Sequence, residues 1–245
     1  MLTHANLNYC RLGQKYFLFL AIKSSLKKRE MKKFAVVLAG CGVYDGAEIH
    51  EATLTLLAIV KNGASYEIFA PDIPQHHVVN HLTGKEMPET RNVLVESARI
   101  ARGKIRSLDQ FSPAAFDALI FPGGFGVAKN LITWAFEGDG CKVDVSVEKA
   151  MCSMKEAKKP IGAMCIAPVV AGKLFPGSKV TTGNDPASAD FIRKMGSEYV
   201  ITTHGEVVAD ATNKIFTTPC YMLDATIADI EKGTDNLVKE MLKFM

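Results

Sequence analysis

The stretch Ala163–Ala167, with Cys165 at its centre, restricts the folds open to this chain more than any other feature of its sequence. An apolar run ends at the cysteine, alanines stand two positions before and after it, and Pro168 comes next in the chain. A tight strand-to-helix turn holds its nucleophile in a strained conformation and leaves room only for small flanking residues. Proline suits the first turn of the next helix. The pattern therefore predicts a nucleophile elbow at Cys165.

Cys165 is also the candidate nucleophile. At a helix N-terminus the dipole and the free amide groups favour thiolate over thiol, so the elbow predicts a lowered pKa for this cysteine. The alternative is a buried structural cysteine, the usual fate of a free thiol.

The rest of the chain alternates short apolar runs with amphipathic stretches, which predicts a mostly parallel sheet with helices on both faces. Strands are expected at 34–39, 66–70, 118–121, 161–164 and 180–182, and helices at 48–62, 92–102, 143–157, 167–175 and 188–194. The last quarter predicts short strands at 199–203, 207–209 and 214–217, and then helices at 221–232 and 234–244. Residues 71–91 form a long polar connection, and such connections are often functional.

Loops that leave the carboxyl ends of neighbouring parallel strands converge on one crevice. One of them, at 122–126, reads Pro-Gly-Gly-Phe-Gly, and its glycines let backbone amides approach a ligand closely. The amides of Gly124 and Ile166 are the candidates for an oxyanion hole. A plain glycine turn is the alternative, and a Gly-Gly pair alone does not distinguish the two.

Glu48 and Glu51 begin the helix after the first strand. An acid there could lean over the crevice, share a proton with the Cys165 sulfur and act as general acid or base. The alternative role is complementing the helix dipole. The residues alone do not choose between the two glutamates.

Two groups of histidines could add a further catalytic or binding function. His204 and Glu206 have the His-x-Glu spacing of glutaminase triads, but His204 lies between expected strands, well before the chain end. His77 and His81 have metal-ligand spacing without a matching carboxylate pattern, so a solvated or hydrogen-bonded pair is favoured. We therefore expect no metal.

Charge and cysteine spacing limit the classes of partner. The formal net charge is +3, yet residues 1–30 hold six basic residues against one acid, so the remainder is slightly acidic and predicts no nucleic-acid surface. The six cysteines show no CxxC spacing, which fits a reducing compartment and indicates neither a zinc site nor a disulfide framework. No apolar run is long enough to span a membrane.

Residues 1–30 share no periodicity with the rest of the chain, and Met31 is a candidate first residue. We predict a basic extension at 1–30, disordered or non-native, and a single domain at 31–245. The apolar stretch 16–22 has no small-residue cleavage site after it, so a secretory signal is not expected. The protein is predicted to be cytoplasmic, or mitochondrial if residues 1–30 are a presequence.

Several motifs together resemble the PfpI and class I glutamine-amidotransferase-like superfamily, and within it the ElbB-like branch of glyoxalase or deglycase proteins. They are Gly40-Cys41-Gly42-Val43-Tyr44-Asp45-Gly46, Asn80-His81-Leu82-Thr83-Gly84, Pro122-Gly123-Gly124-Phe125-Gly126, Met164-Cys165-Ile166-Ala167-Pro168 and Thr217-Thr218-Pro219. The resemblance extends from Met31 to the C-terminus. It implies an α/β flavodoxin-like three-layer sandwich with Cys165 as elbow nucleophile, Glu51 as the acid bonded to the thiolate, and a homo-oligomer such as a dimer.

One departure from the superfamily pattern bears on the reaction. Many members carry a histidine just beyond the strand that comes after the elbow helix, where this chain has Gly183. A full Cys-His-Glu triad is therefore in doubt, and amide hydrolysis loses support. The resemblance implies a cofactor-independent glyoxalase, turning a small dicarbonyl such as glyoxal into glycolate, or a deglycase. The alternative is a non-catalytic redox-sensing or ligand-binding protein, in which Cys41 or Cys220, each after an expected strand end, could be a resolving partner for Cys165. The branch's naming also suggests an accessory to isoprenoid biosynthesis.

Overall fold

The computed structural model describes residues 31–245, so the predictions for residues 1–30 lie outside it. Its strands are β1 (Lys33–Val37), β2 (Ser65–Ala70), β3 (Val79–Asn80), β4 (Lys85–Glu86), β5 (Ile105–Ser107), β6 (Ala118–Phe121), β7 (Ile161–Met164), β8 (Lys179–Val180), β9 (Glu198–Tyr199), β10 (Val208–Asp210) and β11 (Ile215–Thr218). Its α-helices are α1 (Ile49–Lys61), α2 (Val93–Ile100), α3 (Trp134–Glu137), α4 (Val145–Glu156), α5 (Pro168–Leu174), α6 (Pro186–Lys194) and α7 (Ile227–Leu242).

Seven of these strands form one sheet in the order β10-β11-β7-β6-β1-β2-β5. All neighbours pair in parallel except β10 and β11, which are antiparallel. Two-stranded pairs, β3 with β4 and β8 with β9, lie outside it. The α/β class and the flavodoxin-like, mostly parallel sheet are confirmed.

Helices cover both faces of the sheet because its central strands are apolar throughout. Every residue of β6 and β7 is buried. Helices α1 and α7 pack together, and the Thr55 hydroxyl of α1 donates to Met164 Sδ of β7 at 3.4 Å, so α1 lies on the Met164 face. Successive strand residues point to opposite faces, and α4 and α5 contact β7 as well. The core therefore fills both layers around β6 and β7.

The predicted break between two closing helices is wrong. One helix, α7, runs through Gly233, which was expected to end the first. The helix begins at Ile227, later than expected, because Thr226 and Asp229 form a reciprocal capping box there. Residues Cys220–Met222, around the expected start of the helix, form a 3-10 turn.

The long connection after β2 is more ordered than its polar sequence suggested, since it holds the β3–β4 hairpin. Strand β5 at the sheet edge was also missed. Such short edge strands carry little hydrophobic periodicity for a sequence pattern to detect. Within residues 31–245, no helix is long and apolar enough to cross a membrane.

Candidate active site

Cys165 stands directly after β7 in the conformation that the elbow pattern predicts. Its φ is +57°, a left-handed value that costs a non-glycine residue on the order of 1–2 kcal/mol. Its amide donates to the Thr218 carbonyl oxygen of β11 at 3.0 Å, which ties the turn to the neighbouring strand. Ala163 and Ala167 are each 1% exposed, so larger side chains have no room. The surrounding fold therefore holds the strained conformation in place.

Gly123, at the end of β6, lies against the nucleophile. A Cβ atom at Gly123 would stand 2.3 Å from Cys165 Cβ and 2.6 Å from Glu51 Oε2, far inside contact distance. Only glycine lets the β6 loop pass this close to both side chains. The same loop brings the backbone amide of Gly124 to the sulfur.

Glu51 is the acid at the site, and Glu48 is not. Glu51 is fully buried, and its Oε2 accepts the Gly123 amide at 2.9 Å while its Oε1 accepts the Tyr221 amide at 3.1 Å. A Cβ atom on Gly123 would lie 2.6 Å from Glu51 Oε2 and 2.8 Å from Cys165 Sγ, so the carboxyl and the thiol face each other across this glycine. Glu48 instead accepts the Glu51 amide at 2.7 Å as the N-cap of α1. The geometry thus separates a capping glutamate from one that faces the sulfur.

Burial sets the protonation state of Glu51. Desolvation raises its pKa to about 8, against the opposing hydrogen bonds from the Tyr221 and Gly123 amides. The carboxyl is therefore protonated at neutral pH, as expected for an acid beside a second group that can become an anion. A protonated carboxyl can donate to the Cys165 sulfur while its oxygens still accept both amides.

The predicted lowering of the Cys165 pKa is wrong. Burial raises the pKa of this thiol well above its usual value, and Glu51 raises it further, while the Gly124 and Ile166 amides oppose the shift. The helix after the elbow, α5, has only seven residues and begins three positions beyond the cysteine. Its dipole is too short and too distant to offset desolvation. At neutral pH the resting pair is thus a thiol beside a carboxylic acid.

The two amides predicted for an oxyanion hole, those of Gly124 and Ile166, both lie close enough to the Cys165 sulfur to lower its pKa. Donors gathered at the nucleophile can stabilise a thiolate and are also placed near an oxygen that develops on a carbon bonded to that sulfur.

The structure brings no histidine of residues 31–245 to Cys165 as a hydrogen-bond partner. At Gly183, where many superfamily members have histidine, a Cβ atom would lie 2.8 Å from Leu223 Cδ2 and 3.0 Å from Pro219 Cβ. The space for a side chain is therefore filled. His204 is exposed and lies near Asp229 at the start of α7.

His77 and His81, at the β3–β4 hairpin, have local partners. His81 Nε2 accepts the Tyr44 amide at 3.2 Å, and His77 Nε2 lies 3.7 Å from a Glu86 carboxylate oxygen. Within the described residues no three His, Cys, Asp or Glu side chains are grouped to hold a metal ion.

One feature of the site escaped the sequence analysis. The Tyr221 amide bonds Glu51, and a backbone amide leaves no signature in the residue type. Cys220, beside it, is one of the two cysteines considered as resolving partners for Cys165, and the structure buries it near Cys165 and Glu51.

No model of a known protein family matches this chain. The mitochondrial ES1 protein homolog of Rattus norvegicus is 46% identical over 233 residues, which cover 91% of this chain and 87% of the rat protein. The mitochondrial glutamine amidotransferase-like class 1 domain-containing protein 3 of Homo sapiens is 44% identical over 225 residues, 88% of this chain and 84% of the human protein.

Solved structures agree with the sheet topology. An isoprenoid biosynthesis protein with an amidotransferase-like domain from Ehrlichia chaffeensis is 37% identical, with a TM-score of 0.81 over 87% of this chain and 100% of that one. DJ-1beta of Drosophila melanogaster, 17% identical, gives a TM-score of 0.50 over 87% of this chain and 95% of its own, and shows the fold alone.

Proposed function

This chain belongs to the ES1 family of glutamine amidotransferase-like class 1 proteins, and we propose that it is a cofactor-independent glyoxalase or related deglycase of the ElbB-like branch. Its substrate is a small dicarbonyl such as glyoxal, and its product the 2-hydroxy acid, glycolate. The observation that supports this most is that the buried Glu51 carboxyl faces the Cys165 thiol across Gly123, with the Gly124 and Ile166 amides beside the sulfur.

The first step is addition of the Cys165 sulfur to an aldehyde carbon. A new C–S bond forms, the carbonyl π pair moves to oxygen, and the thiol proton passes to that oxygen by way of Glu51. The amides of Gly124 and Ile166 stabilise the oxygen as its charge develops. The product is a hemithioacetal on Cys165.

Glu51 then moves a proton between the two carbons. Its carboxylate form takes the hydrogen of the sulfur-bearing carbon as a proton, the C–H electron pair forms a C=C bond to the neighbouring carbon, and the second carbonyl oxygen gains a proton, which gives an enediol. The acid form of Glu51 then protonates the neighbouring carbon, while the hydroxyl on the sulfur-bearing carbon loses its proton and becomes the thioester carbonyl. The sulfur-bearing carbon is oxidised as the second aldehyde is reduced to an alcohol, so a thioester of glycolic acid forms without an external oxidant. Water hydrolyses the thioester, releasing glycolate and the free thiol. A pKa of about 8 suits a group that must act as acid and base near neutral pH.

The position of Gly183 favours an aldehyde over an amide as substrate. Amide hydrolysis needs a group that protonates the leaving amine, the role a histidine fills in amidotransferase triads. Here Leu223 and Pro219 occupy that space. Carbonyl addition has no amine to expel, so a thiol, one acid and two amides are sufficient.

Glyoxal turnover by the purified protein tests the proposal. The wild type should form glycolate, and Cys165→Ala should lose at least about a hundredfold in kcat/KM because the covalent step is removed. Cys152→Ala, a half-buried cysteine of α4 away from the crevice, and His204→Ala should stay near the wild-type rate. Equal turnover by wild type and Cys165→Ala, or a hundredfold loss in His204→Ala, would exclude this mechanism.

A non-catalytic redox-sensing or ligand-binding role is the second candidate. It is favoured by the buried thiol of Cys220 near the crevice, which a glyoxalase does not need. The Ehrlichia chaffeensis protein is described as an isoprenoid biosynthesis protein, so an accessory role in such a pathway belongs to this candidate. A folded wild type that binds dicarbonyl without forming glycolate would favour it.

Location and assembly are proposed from the relatives and the resemblance. The rat, human and Danio rerio relatives are all described as mitochondrial, so we favour the mitochondrial location over the cytoplasmic one first expected. Fractionation of cells expressing the full chain tests it. The proposed homodimer is tested by light scattering on the purified protein.

A further inference from the structure

Cys220 is a second buried thiol at the carboxyl end of the sheet, and the proposed reaction leaves it without a role. It stands after β11, is 5% exposed, and has a φ of +44°, a left-handed value that favours glycine. Its Sγ lies 3.5 Å from the position that a Cβ on Gly233 of α7 would take, so the thiol points into the protein. The chain therefore holds a cysteine, in a strained conformation, where its sulfur is shielded from solvent.

Strand register places this thiol next to Cys165. Strands β11 and β7 are parallel neighbours in which Thr218 lies opposite Met164, so each cysteine comes within two residues of its strand end. The Cys165 amide donates to the Thr218 carbonyl oxygen at 3.0 Å. Neighbouring strands lie about 4.8 Å apart, so the two chain segments that carry the cysteines leave the sheet side by side.

Glu51 lies between the two cysteines. The amide of the Cys220–Tyr221 peptide donates to Glu51 Oε1 at 3.1 Å, while Glu51 Oε2 and Cys165 Sγ would lie 2.6 and 2.8 Å from a Cβ atom on Gly123, so the same carboxyl faces Cys165. The pKa of Cys220 reflects the same surroundings. Burial raises it, and the nearby charges of Glu51 and then Cys165 raise it further.

We propose that Cys220 is the resolving thiol of Cys165, and that the two form a reversible disulfide when a small hydroperoxide oxidises Cys165. In the first step the Cys165 sulfur attacks the outer peroxide oxygen, the O–O bond breaks, and Glu51 protonates the departing alkoxide or hydroxide. Cys165 becomes a sulfenic acid. The Cys220 sulfur then attacks the Cys165 sulfur, the S–O bond breaks, and water leaves with the Cys220 proton. Two thiols are oxidised by two electrons and one hydroperoxide is reduced.

The other described cysteines fit this role less well. Cys41 is half-buried, and the charges that act on it are Glu96, Arg99 and Asp45. Cys141 and Cys152 are influenced by charges of other surface segments, with neither Cys165 nor Glu51 among them. Cys220 is the partner that the sheet brings to the elbow.

Intact-mass spectrometry with peptide mapping tests the proposal on the full chain. With limiting hydrogen peroxide, the wild type should lose two hydrogen atoms, yield a peptide linking Cys165 to Cys220, and return to its starting mass with dithiothreitol. Cys220→Ala should instead gain oxygen at Cys165 and progress to the sulfinic acid, which dithiothreitol does not reverse. Cys152→Ala should behave as the wild type does.

Two outcomes would overturn the inference. One is oxygen addition at Cys165 in the wild type without a disulfide, and the other is a disulfide that joins Cys165 to Cys41. If circular dichroism shows that Cys220→Ala does not fold, Cys220→Ser replaces it. A second measurement then uses the wild type alone: phenylarsine oxide, a trivalent arsenical, bridges two nearby thiols without oxidising them. A wild type that binds no phenylarsine oxide across Cys165 and Cys220 contradicts the pairing. None of these measurements uses glyoxal, so failure of the glyoxalase proposal leaves the test intact.

Discussion

At the scale of single residues, the chemistry of Cys165 is decided by burial more than by the helix behind it. The thiol is 7% exposed and Glu51 is fully buried, so an anion on either is poorly solvated. Two amides face each group, which offsets part of that cost. The Glu51 carboxyl therefore loses its proton only in mildly alkaline solution, and the pKa of the Cys165 thiol is raised as well, so the reactivity of the cysteine should follow its own, later ionisation.

Alkylation of Cys165 by iodoacetamide reports this ionisation. In the wild type the rate at Cys165 should be low at pH 6 and stay low to a higher pH than for an exposed cysteine before it rises, because burial and then Glu51 raise the pKa of the thiol. In Glu51→Gln the rise should occur at lower pH, because the neighbouring acid no longer raises the pKa of the cysteine. The measurement is peptide-resolved labelling from pH 5.5 to 9.5. Rapid labelling of the wild type at pH 6 would restore the lowered pKa that the elbow pattern predicts.

At the scale of elements, the central strands could be predicted from the sequence and the edges could not. The bounds of β6 and β7 are as expected, because each is a fully apolar run that a Pro-Gly turn or the elbow ends. The β3–β4 hairpin and β5 are too short and polar to show a period. In the site, Cys165 could be found from its pattern, whereas the choice of Glu51 over Glu48 rested on the resemblance, since both stand at the start of α1.

Gly233 offers a test of why α7 continues where a helix was expected to end. A Cβ there would lie 3.4 Å from Thr218 Oγ1 and 3.5 Å from Cys220 Sγ, which is ordinary contact. Gly233→Ala should stabilise the protein by roughly 0.5–1 kcal/mol, since alanine favours a helix interior. Gly172→Ala in α5 is the matched control, because its Cβ would meet Ile192 Cγ1 at 3.2 Å and should bring little or no gain. Urea unfolding measures both, and destabilisation by Gly233→Ala would contradict this account.

At the scale of the whole molecule, the site is assembled from four distant parts of the chain, which meet at the carboxyl ends of the central strands. Glu51 comes from α1, Gly123 stands after β6, Cys165 after β7 and Tyr221 after β11. Strands β6, β7 and β11 are neighbours in the sheet, so their carboxyl ends deliver these groups together. Global unfolding exposes the buried Glu51 carboxyl to water, so the ionisation of Glu51 is coupled to unfolding.

This coupling predicts a pH dependence of stability that belongs to Glu51. Its pKa is about 8 when folded and 4.5 as the reference for the unfolded chain, so between these values the folded state holds a proton that the unfolded state has lost. The contribution is fully present below pH 4.5 and is lost as pH rises through 8, with a slope of about 1.4 kcal/mol per pH unit at most.

Urea denaturation of wild type and Glu51→Gln at pH 5, 6, 7 and 8 isolates this contribution, because groups away from the site titrate alike in both proteins. The free energy of unfolding of the wild type should fall relative to that of Glu51→Gln as pH rises across this range. The glutamine places its NH₂ toward the Gly123 or Tyr221 amide, but the cost of that contact does not vary with pH and so does not change the trend. Glu51→Gln should also lose the proposed proton transfer, and with it glyoxal turnover. A difference between the two proteins that stays constant with pH would show that Glu51 is ionised in the folded protein, and would remove it as the proton carrier.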